Sequence, residues 1–338
     1  MLNNACVSYL TSLNTLTPFF EKVASKQAPV SSPAELLQLV LSKRFRKSPV
    51  SIQAKRDLLA AITRIWQGNQ PLRFWALFGG YKLSSIASTP YPDWAELFHL
   101  RYMSEVMCHI AAAYPPGVEL VYRSDGPIIQ YINGYPPEGL RSYAERFLSY
   151  IAWFNKGLAS LPIKISYEDV VASRTVGHLE SEINSLVPEV THAFYKLSEA
   201  EREVLLRKSE RNRFWADSHA SISDRRALST RSLLRDMAFL RADKAYIASC
   251  MTDGIPLIFR RGNGDYLHYA TAKGTIVQFW VGTGCVFVTT SGEWSTQILS
   301  SMQYAQAHRR PEFVHVRMNK DGPTLPSLPV ILCTHANT

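Results

Sequence analysis

The sequence predicts an α/β fold in which helices cover both faces of a mostly parallel sheet and a helical segment is inserted. Two short apolar runs, Leu72–Phe78 and Val118–Tyr122, flank a long amphipathic stretch. This strand–helix–strand order is typical of parallel strand pairing. Residues 138–248 show mainly helical periodicity, and short strand-like runs follow them.

The composition is that of a folded protein that is not embedded in a membrane. The 338 residues include 37 Lys+Arg and 28 Asp+Glu, which gives a net charge of +9, and 46% are hydrophobic. No run of about 18 apolar residues is present, as a membrane span would need. Residues 1–20 contain no basic segment followed by an apolar stretch, so we expect a cytoplasmic protein.

The 5 cysteines are scattered and form no CxxC pair or Cys/His cluster, so we expect neither a metal site nor a disulfide framework. Residues 1–34 are rich in Ser, Thr, Asn and Pro and are predicted to be a peripheral N-terminal lead-in. Residues 35–338 are predicted to form a single α/β domain, the catalytic one if the chain is an enzyme.

The individual elements follow from periodicity and capping signals. A helix is expected from Ile52 to the stop at Gly68, and Asp93 with Glu96 three residues later predicts the start of the next long helix. In the insertion, helices are expected over 144–158, over 178–211 with an interruption at Pro188, and over 230–248 with Thr230 as the cap. Strands are then expected over 255–260, 275–281 and 285–290, and a last helix over 294–308.

The strand–helix–strand unit brings two turns to one edge of the sheet. Gly79–Lys82 and Ser124–Gly126 both leave carboxyl ends of strands, where open α/β folds bind ligands. Lys82 is a candidate for neutralising a phosphate or forming a Schiff base, although an ordinary surface lysine would fit the pattern too. Asp125 is a candidate general base and Ser124 a candidate hydroxyl ligand, with a simple Asp-Gly turn as the alternative.

Other candidates lie outside this unit. Arg44 and Arg46, in a basic run, would face the same side of a strand and suit a phosphate, unless the run is only a solvated surface. His219 follows a polar cluster and is a candidate proton shuttle or an ordinary loop residue. The GxGxxG, GxxxxGK[ST], GxSxG and HExxH motifs are missing, which disfavours dinucleotide binding, nucleotide hydrolysis, α/β-hydrolase chemistry and zinc proteolysis.

Five short motifs follow one another over about eighty residues. They are Arg44-Phe45-Arg46, Gly80-Tyr81-Lys82-Leu83-Ser84, Pro92-Asp93-Trp94-Ala95-Glu96, Tyr114-Pro115-Pro116-Gly117 and Ser124-Asp125-Gly126. In this order they resemble the pyoverdine/dityrosine-biosynthesis family, whose best-known members are isonitrile (isocyanide) synthases. Phe214 and Asp217 also match the family's Phe-x-x-Asp region.

The resemblance implies a Rossmann-like fold and an enzyme of natural-product biosynthesis without metal or cofactor. Such enzymes condense the α-amine of an amino acid with the ketone of ribulose 5-phosphate and then fragment the adduct to an isonitrile. The implied catalytic residues are Lys82, Ser124 and Asp125. The implied substrate-binding or phosphate-binding residues are Arg44, Arg46, Tyr81, Asp217 and His219. A pathway oxygenase is an implied partner.

The sequence departs from the family in its second half. The family's two histidine motifs would fall near Ala248–Cys250 and Thr275–Trp280, and neither stretch contains a histidine. A divergent member that modifies an amine without forming an isonitrile is therefore an alternative. A basic nucleic-acid-binding protein is a further alternative from the charge alone, but no recognition motif supports it.

Overall fold

The main sheet is parallel throughout. The computed structural model describes residues 4–83, 91–169, 175–215, 221–250, 254–259, 264–275, 277–318 and 324–333. In the main sheet the strand order is β3-β2-β1-β4-β5. The strands are β1 (Leu72–Phe78), β2 (Val118–Ser124), β3 (Ile163–Asp169), β4 (Ile255–Ile258) and β5 (Leu267–His268). The predicted Rossmann-like α/β fold class is confirmed.

The register of this sheet aligns the carboxyl ends of β1, β2 and β3. Phe78 pairs with Ser124, and Ser124 pairs with Asp169, so these residues form one row at the carboxyl edge. The sequence pattern does not predict β3, because only Ile163 and Ile165 of its residues are buried and apolar. A strand with so short an apolar face gives little period-2 signal.

A second, mixed sheet has the order β7-β6-β9-β8. Its strands are β6 (Thr283–Thr289), β7 (Trp294–Leu299), β8 (Phe313–Val316) and β9 (Leu328–Cys333). The predicted helix over 294–308 is wrong in its first half, because β7 pairs with β6 there and only Ser301–His308 is helical. The predicted strand over 275–281 is also wrong: its described residues lie in turns and one isolated bridge, Ala272 to Thr275.

Eleven helices lie within the described ranges. They are α1 (Asn4–Thr11), α2 (Thr17–Ala24), α3 (Pro33–Val40), α4 (Ile52–Gln67), α5 (Trp94–Ala113), α6 (Gly126–Asn133), α7 (Pro137–Leu158), α8 (Val176–Tyr195), α9 (Glu199–Asn212), α10 (Ile222–Cys250) and α11 (Ser301–His308). The predicted capping box of Asp93 and Glu96 is present at the start of α5. The segment predicted as mainly helical over 138–248 contains α7 to α10, but β3 interrupts it, and only α8 to α10 form an insertion between β3 and β4.

Two details of the insertion differ from prediction. Pro188 lies inside α8 rather than ending a helix. Thr230 lies inside α10 and does not cap it, because its hydroxyl donates 2.8 Å to the Arg226 carbonyl. A hydroxyl that bonds back to the preceding turn is compatible with a helix interior, so the threonine alone does not mark a start.

The N-terminal segment is packed into the protein. Cys6, Leu10 and Leu13 are fully buried in the main hydrophobic cluster. Arg101 of α5 donates to the carbonyl of Leu13 at 3.0 Å, and Asn14 donates to that of Trp153 at 3.0 Å. The expectation of a peripheral lead-in is therefore wrong for residues 4–24, while the boundary at residue 34 stays a prediction. Among the described residues no helix is long and apolar enough to cross a membrane.

The close approach of Asn14 to α7 gives a test of this packing. A Cβ at Gly157 would overlap the Asn14 carbonyl oxygen, whereas nothing lies within 4 Å of a Cβ at Gly177 of α8. We expect Gly157→Ala to lower the free energy of unfolding by about 1–3 kcal/mol through overpacking. The matched Gly177→Ala change should leave it equal or raise it by up to about 1 kcal/mol. Urea unfolding measures both, and an unaffected Gly157→Ala protein would contradict the packing.

Candidate functional site

A buried ion cluster lies at the carboxyl edge beyond β1. Lys82 is only 1% exposed, so the surface-lysine alternative is wrong. Its ammonium lies 3.1 Å from Asp93, 3.0 Å from Glu96 and 3.0 Å from the Phe279 carbonyl oxygen. These acceptors engage all three ammonium hydrogens. The catalytic role of Lys82 stays a prediction.

Glu96 connects this cluster to the helix start. Its carboxylate accepts from the Asp93 backbone N–H at 2.8 Å and from the Tyr143 hydroxyl at 3.0 Å. Burial raises the pKa of Glu96 to about 8, against the lowering effect of Lys82. The neighbouring Asp93 carboxylate raises it further, because two carboxylates face a single ammonium.

The turns after β1 and β2 touch each other, as the sequence predicts. Gly80 has a φ of 67°, and a Cβ there would overlap the Ser124 hydroxyl. Ser124 is fully buried, and its oxygen accepts from the Gly126 N–H at 2.9 Å. Glycine is required at position 80 by both the left-handed backbone and this close approach.

A row of polar groups runs from this contact along the sheet edge. The Ser124 side chain lowers the pKa of the neighbouring Tyr167, against the rise caused by burial, and the Tyr167 hydroxyl donates to Asp169 at 2.8 Å. Burial raises the pKa of the Asp169 carboxyl above its ordinary value, and the bond from Tyr167 partly offsets that rise. The row Gly126–Ser124–Tyr167–Asp169 is called the edge relay below.

The edge relay borders a cavity of about 290 Å³. Gly80, Gly126, Tyr167 and Asp169 contribute to its wall, and Arg141 of α7 contributes a positive charge. A cavity of this size suits one small metabolite. The sequence reasoning placed Ser124 here but offered no signal for Asp169 or Arg141, since their strand and helix face are fixed by tertiary packing.

Tyr81 and Asp125 lie beside this wall. The Tyr81 ring packs against Tyr135 with centroids 4.6 Å apart. Burial raises the pKa of Tyr81 well above its ordinary value, and the nearby Tyr135, Asp236 and Asp125 raise it further. Asp125 is half-buried at the start of α6, but its carboxylate makes no capping hydrogen bond to that helix.

Arg44 and Arg46 are not brought to Lys82. Arg46 forms a β-bridge with Tyr269 just after β5, which places Arg46 three strand positions from β1, or roughly 14 Å away. Phe45 packs on His109 of α5 with ring centroids 5.7 Å apart, and His109 lies about 20 Å along α5 from Glu96. The predicted phosphate-binding role of Arg44 and Arg46 stays a prediction, at a place separate from the Lys82 cluster. Asp217 and His219 lie outside the described residues.

A buried histidine, His99 of α5, lies beneath the site. Its Nδ1 faces the Thr271 carbonyl oxygen at 2.6 Å, and its ring stacks on Phe279 at 4.0 Å. Burial lowers the pKa of His99 to about 3, so the ring is neutral and Nδ1 carries the proton that Thr271 accepts. Its Nε2 has no hydrogen-bond partner within the described ranges. The sequence gives no signal for it, because it stands among apolar helix residues.

The ion cluster predicts a strong effect of removing Lys82. We expect Lys82→Ala to lower the free energy of unfolding by about 3–5 kcal/mol, because two carboxylates lose their buried cation. Lys164 is the matched control: its side chain is 73% exposed and lies 3.6 Å from Glu119. Lys164→Ala should change stability by less than about 1 kcal/mol. Equal denaturation midpoints for the two variants would contradict the buried cluster.

The buried His99 predicts a pH dependence of stability. Its folded pKa of about 3 lies below the reference value of 6.5. The contribution of the neutral His99 ring to the free energy of unfolding is therefore complete above pH 6.5. It is lost as the pH falls toward 3, because the unfolded chain takes up the proton first. From pH 7 to pH 5 the free energy of unfolding of the wild type, relative to that of His99→Gln, should fall by about 2 kcal/mol. Unfolding curves at both pH values measure it, with exposed His178→Gln as the control; a constant difference for His99→Gln would refute it.

Comparison with known proteins shows the fold. No protein-family model matches the sequence, and no curated protein does. The crystal structure of the PvcA protein from Pseudomonas aeruginosa is similar, with a TM-score of 0.65 at 16% sequence identity over 88% of this chain and 99% of that one. Tyrosyl-tRNA synthetase from Aeropyrum pernix reaches a TM-score of only 0.26 at 11% identity, over 69% of this chain and 54% of that one, which supports no argument. The chain therefore shares the α/β fold of PvcA.

Proposed function

We propose that this protein is an enzyme that condenses the α-amine of an amino acid with the ketone of ribulose 5-phosphate, as a divergent isonitrile synthase. The fold likeness to PvcA and the order of the sequence motifs support this assignment. The observation that carries it is the edge relay, which places a hydrogen-bonded carboxylate on the wall of a cavity at the carboxyl edge.

The charges of the cavity fit a zwitterion. Asp169 supplies a carboxylate for the substrate ammonium, and Arg141 supplies a guanidinium for the substrate carboxylate. The apolar part of the wall, which includes Leu140 and Ala144, leaves room for a side chain. These complementary groups favour an amino acid over a nucleic acid, whose backbone would need several cations and no facing carboxylate.

The chemistry begins with a proton transfer. An amine attacks a ketone only as the free base, so Asp169 accepts one proton from the bound ammonium. Burial raises the pKa of the Asp169 carboxyl and makes it a better base than an exposed aspartate. The amine lone pair then forms the C–N bond, and the ketone oxygen takes a proton to become a hydroxyl. The Tyr167 hydroxyl, next to Asp169, is placed to carry that proton.

Lys82 has a positioning role in this proposal. By holding Glu96 and the Phe279 carbonyl it fixes the start of α5 and the chain at residue 279 relative to Gly80. It therefore shapes the cavity wall without touching the substrate. The phosphate of the sugar must be bound by other cations, since the lysine has no ammonium hydrogen left for it.

The residues near position 280 favour a second outcome of the same condensation, in which the adduct is not fragmented to an isonitrile. Where the family carries a histidine motif, this chain has Phe279, which is fully buried, and Trp280, which is 6% exposed. These side chains offer no base for fragmenting the adduct. An imine or rearranged amine product would identify this second outcome, and an isonitrile would identify the first; mass spectrometry of the products distinguishes them.

The base assignment has a direct test. We expect wild-type protein to consume ribulose 5-phosphate only when an amino acid is present, and Asp169→Asn to lower kcat/KM by about 100-fold or more. Glu168→Gln, one residue away on β3, should keep wild-type turnover, since Glu168 does not line the cavity. A coupled assay of ribulose 5-phosphate measures both. No consumption with any of the standard amino acids would refute the proposed function.

A further inference from the structure

Arginine side chains converge at the last turn of α6. Arg213 follows α9 and donates to the Ser232 hydroxyl at 2.7 Å. Arg235 of α10 donates to the Tyr131 carbonyl at 2.9 Å and lies 3.9 Å over the Tyr131 ring. Arg231 is one helical turn before Arg235 and is exposed. We call Arg213, Arg231 and Arg235 the arginine cluster.

The arginine cluster forms no ion pair within the part of the chain that the structure describes. The polar contacts given there are the Ser232 hydroxyl for Arg213 and the Tyr131 carbonyl for Arg235. Burial lowers the pKa of Arg213, and the positive charges of Arg231 and Arg235 lower it further. The buried Nε of Arg213 has no hydrogen-bond partner in the described ranges. The C-terminal dipole of α6 offsets only part of this charge.

The cluster adjoins the wall of the proposed active site. Phe214, next to Arg213, packs on Tyr135 with ring centroids 5.6 Å apart, and Tyr135 packs on Tyr81. Tyr81 follows Gly80, which lines the cavity. Gly126 at the other end of α6 lines it as well, and α6 has 8 residues, so its ends are about 12 Å apart.

We propose that the arginine cluster binds the phosphate monoester of the sugar substrate. This inference rests on the proposed function and assigns the phosphate to Arg213, Arg231 and Arg235 in place of Arg44 and Arg46. Guanidinium groups bind phosphate oxygens through paired, charge-assisted hydrogen bonds, and a dianion relieves the mutual repulsion of the three cations.

Isothermal titration of the purified protein with ribulose 5-phosphate tests the assignment. We expect Arg231→Gln to weaken binding by about 10-fold or more, as the loss of a charged hydrogen bond does. Binding of unphosphorylated ribulose should be unchanged by the same substitution. Arg241→Gln is the matched control, because Arg241 lies on α10 but is paired with Glu189. The exposed position of Arg231 keeps its substitution compatible with folding, and Arg213→Lys is a second variant, expected to weaken binding in the same direction.

Several outcomes would overturn the inference. Wild-type affinity in both cluster variants, or weakened binding in Arg44→Gln alone, would place the phosphate elsewhere. An equal loss for ribulose and ribulose 5-phosphate would show a structural effect only. If ribulose 5-phosphate binds through the cluster but is not consumed with any amino acid, the proposed function fails while this inference holds. If the wild-type protein binds neither ribulose 5-phosphate nor inorganic phosphate, both fail.

Discussion

The buried contact between Lys82 and Glu96 is the interaction on which the candidate site depends. A single ammonium faces two carboxylates and a carbonyl oxygen inside an aromatic shell that includes Phe279 and Tyr143. Burying such charges is costly, and only a complete set of partners offsets the cost. The arrangement therefore holds in one geometry, and it joins the end of β1 to the start of α5 and to residue 279.

The rest of the sheet edge follows from that fixed point. With the chain after β1 held in place, Gly80 lies against Ser124, and the register of the sheet sets Ser124 beside Asp169. Strand pairing fixes three members of the edge relay, Ser124, Tyr167 and Asp169, and Gly126 follows at the start of α6. Residues held by a sheet are positioned more accurately than residues on loops, which suits this row to the proton transfer proposed above.

The sequence predicted the parts of this fold that depend on local patterns. Strands β1 and β2, the capping box of Asp93 and the meeting of two turns at one edge all follow from apolar runs and turn residues. The sequence did not predict features that depend on tertiary contacts. The pattern around Lys82 is compatible with an exposed or a buried side chain, and only its contact with Glu96 in the folded chain shows that it is buried. The same limit applies to Arg44 and Arg46. Their spacing predicts that they face the same side of a strand, but it does not predict which strand of the sheet their segment pairs with.

The fold and the chemistry of this chain are under separate constraints. A TM-score of 0.65 at 16% identity with PvcA means that the backbone path is retained while most side chains differ. An apolar pattern of the right period is enough to keep such a path. Acid–base groups need specific atoms, and near residue 280 this chain has Phe279 packed on His99. The polar end of β3, with Tyr167 and Asp169, reaches the cavity, so it is the element to which the proposed proton transfers are assigned.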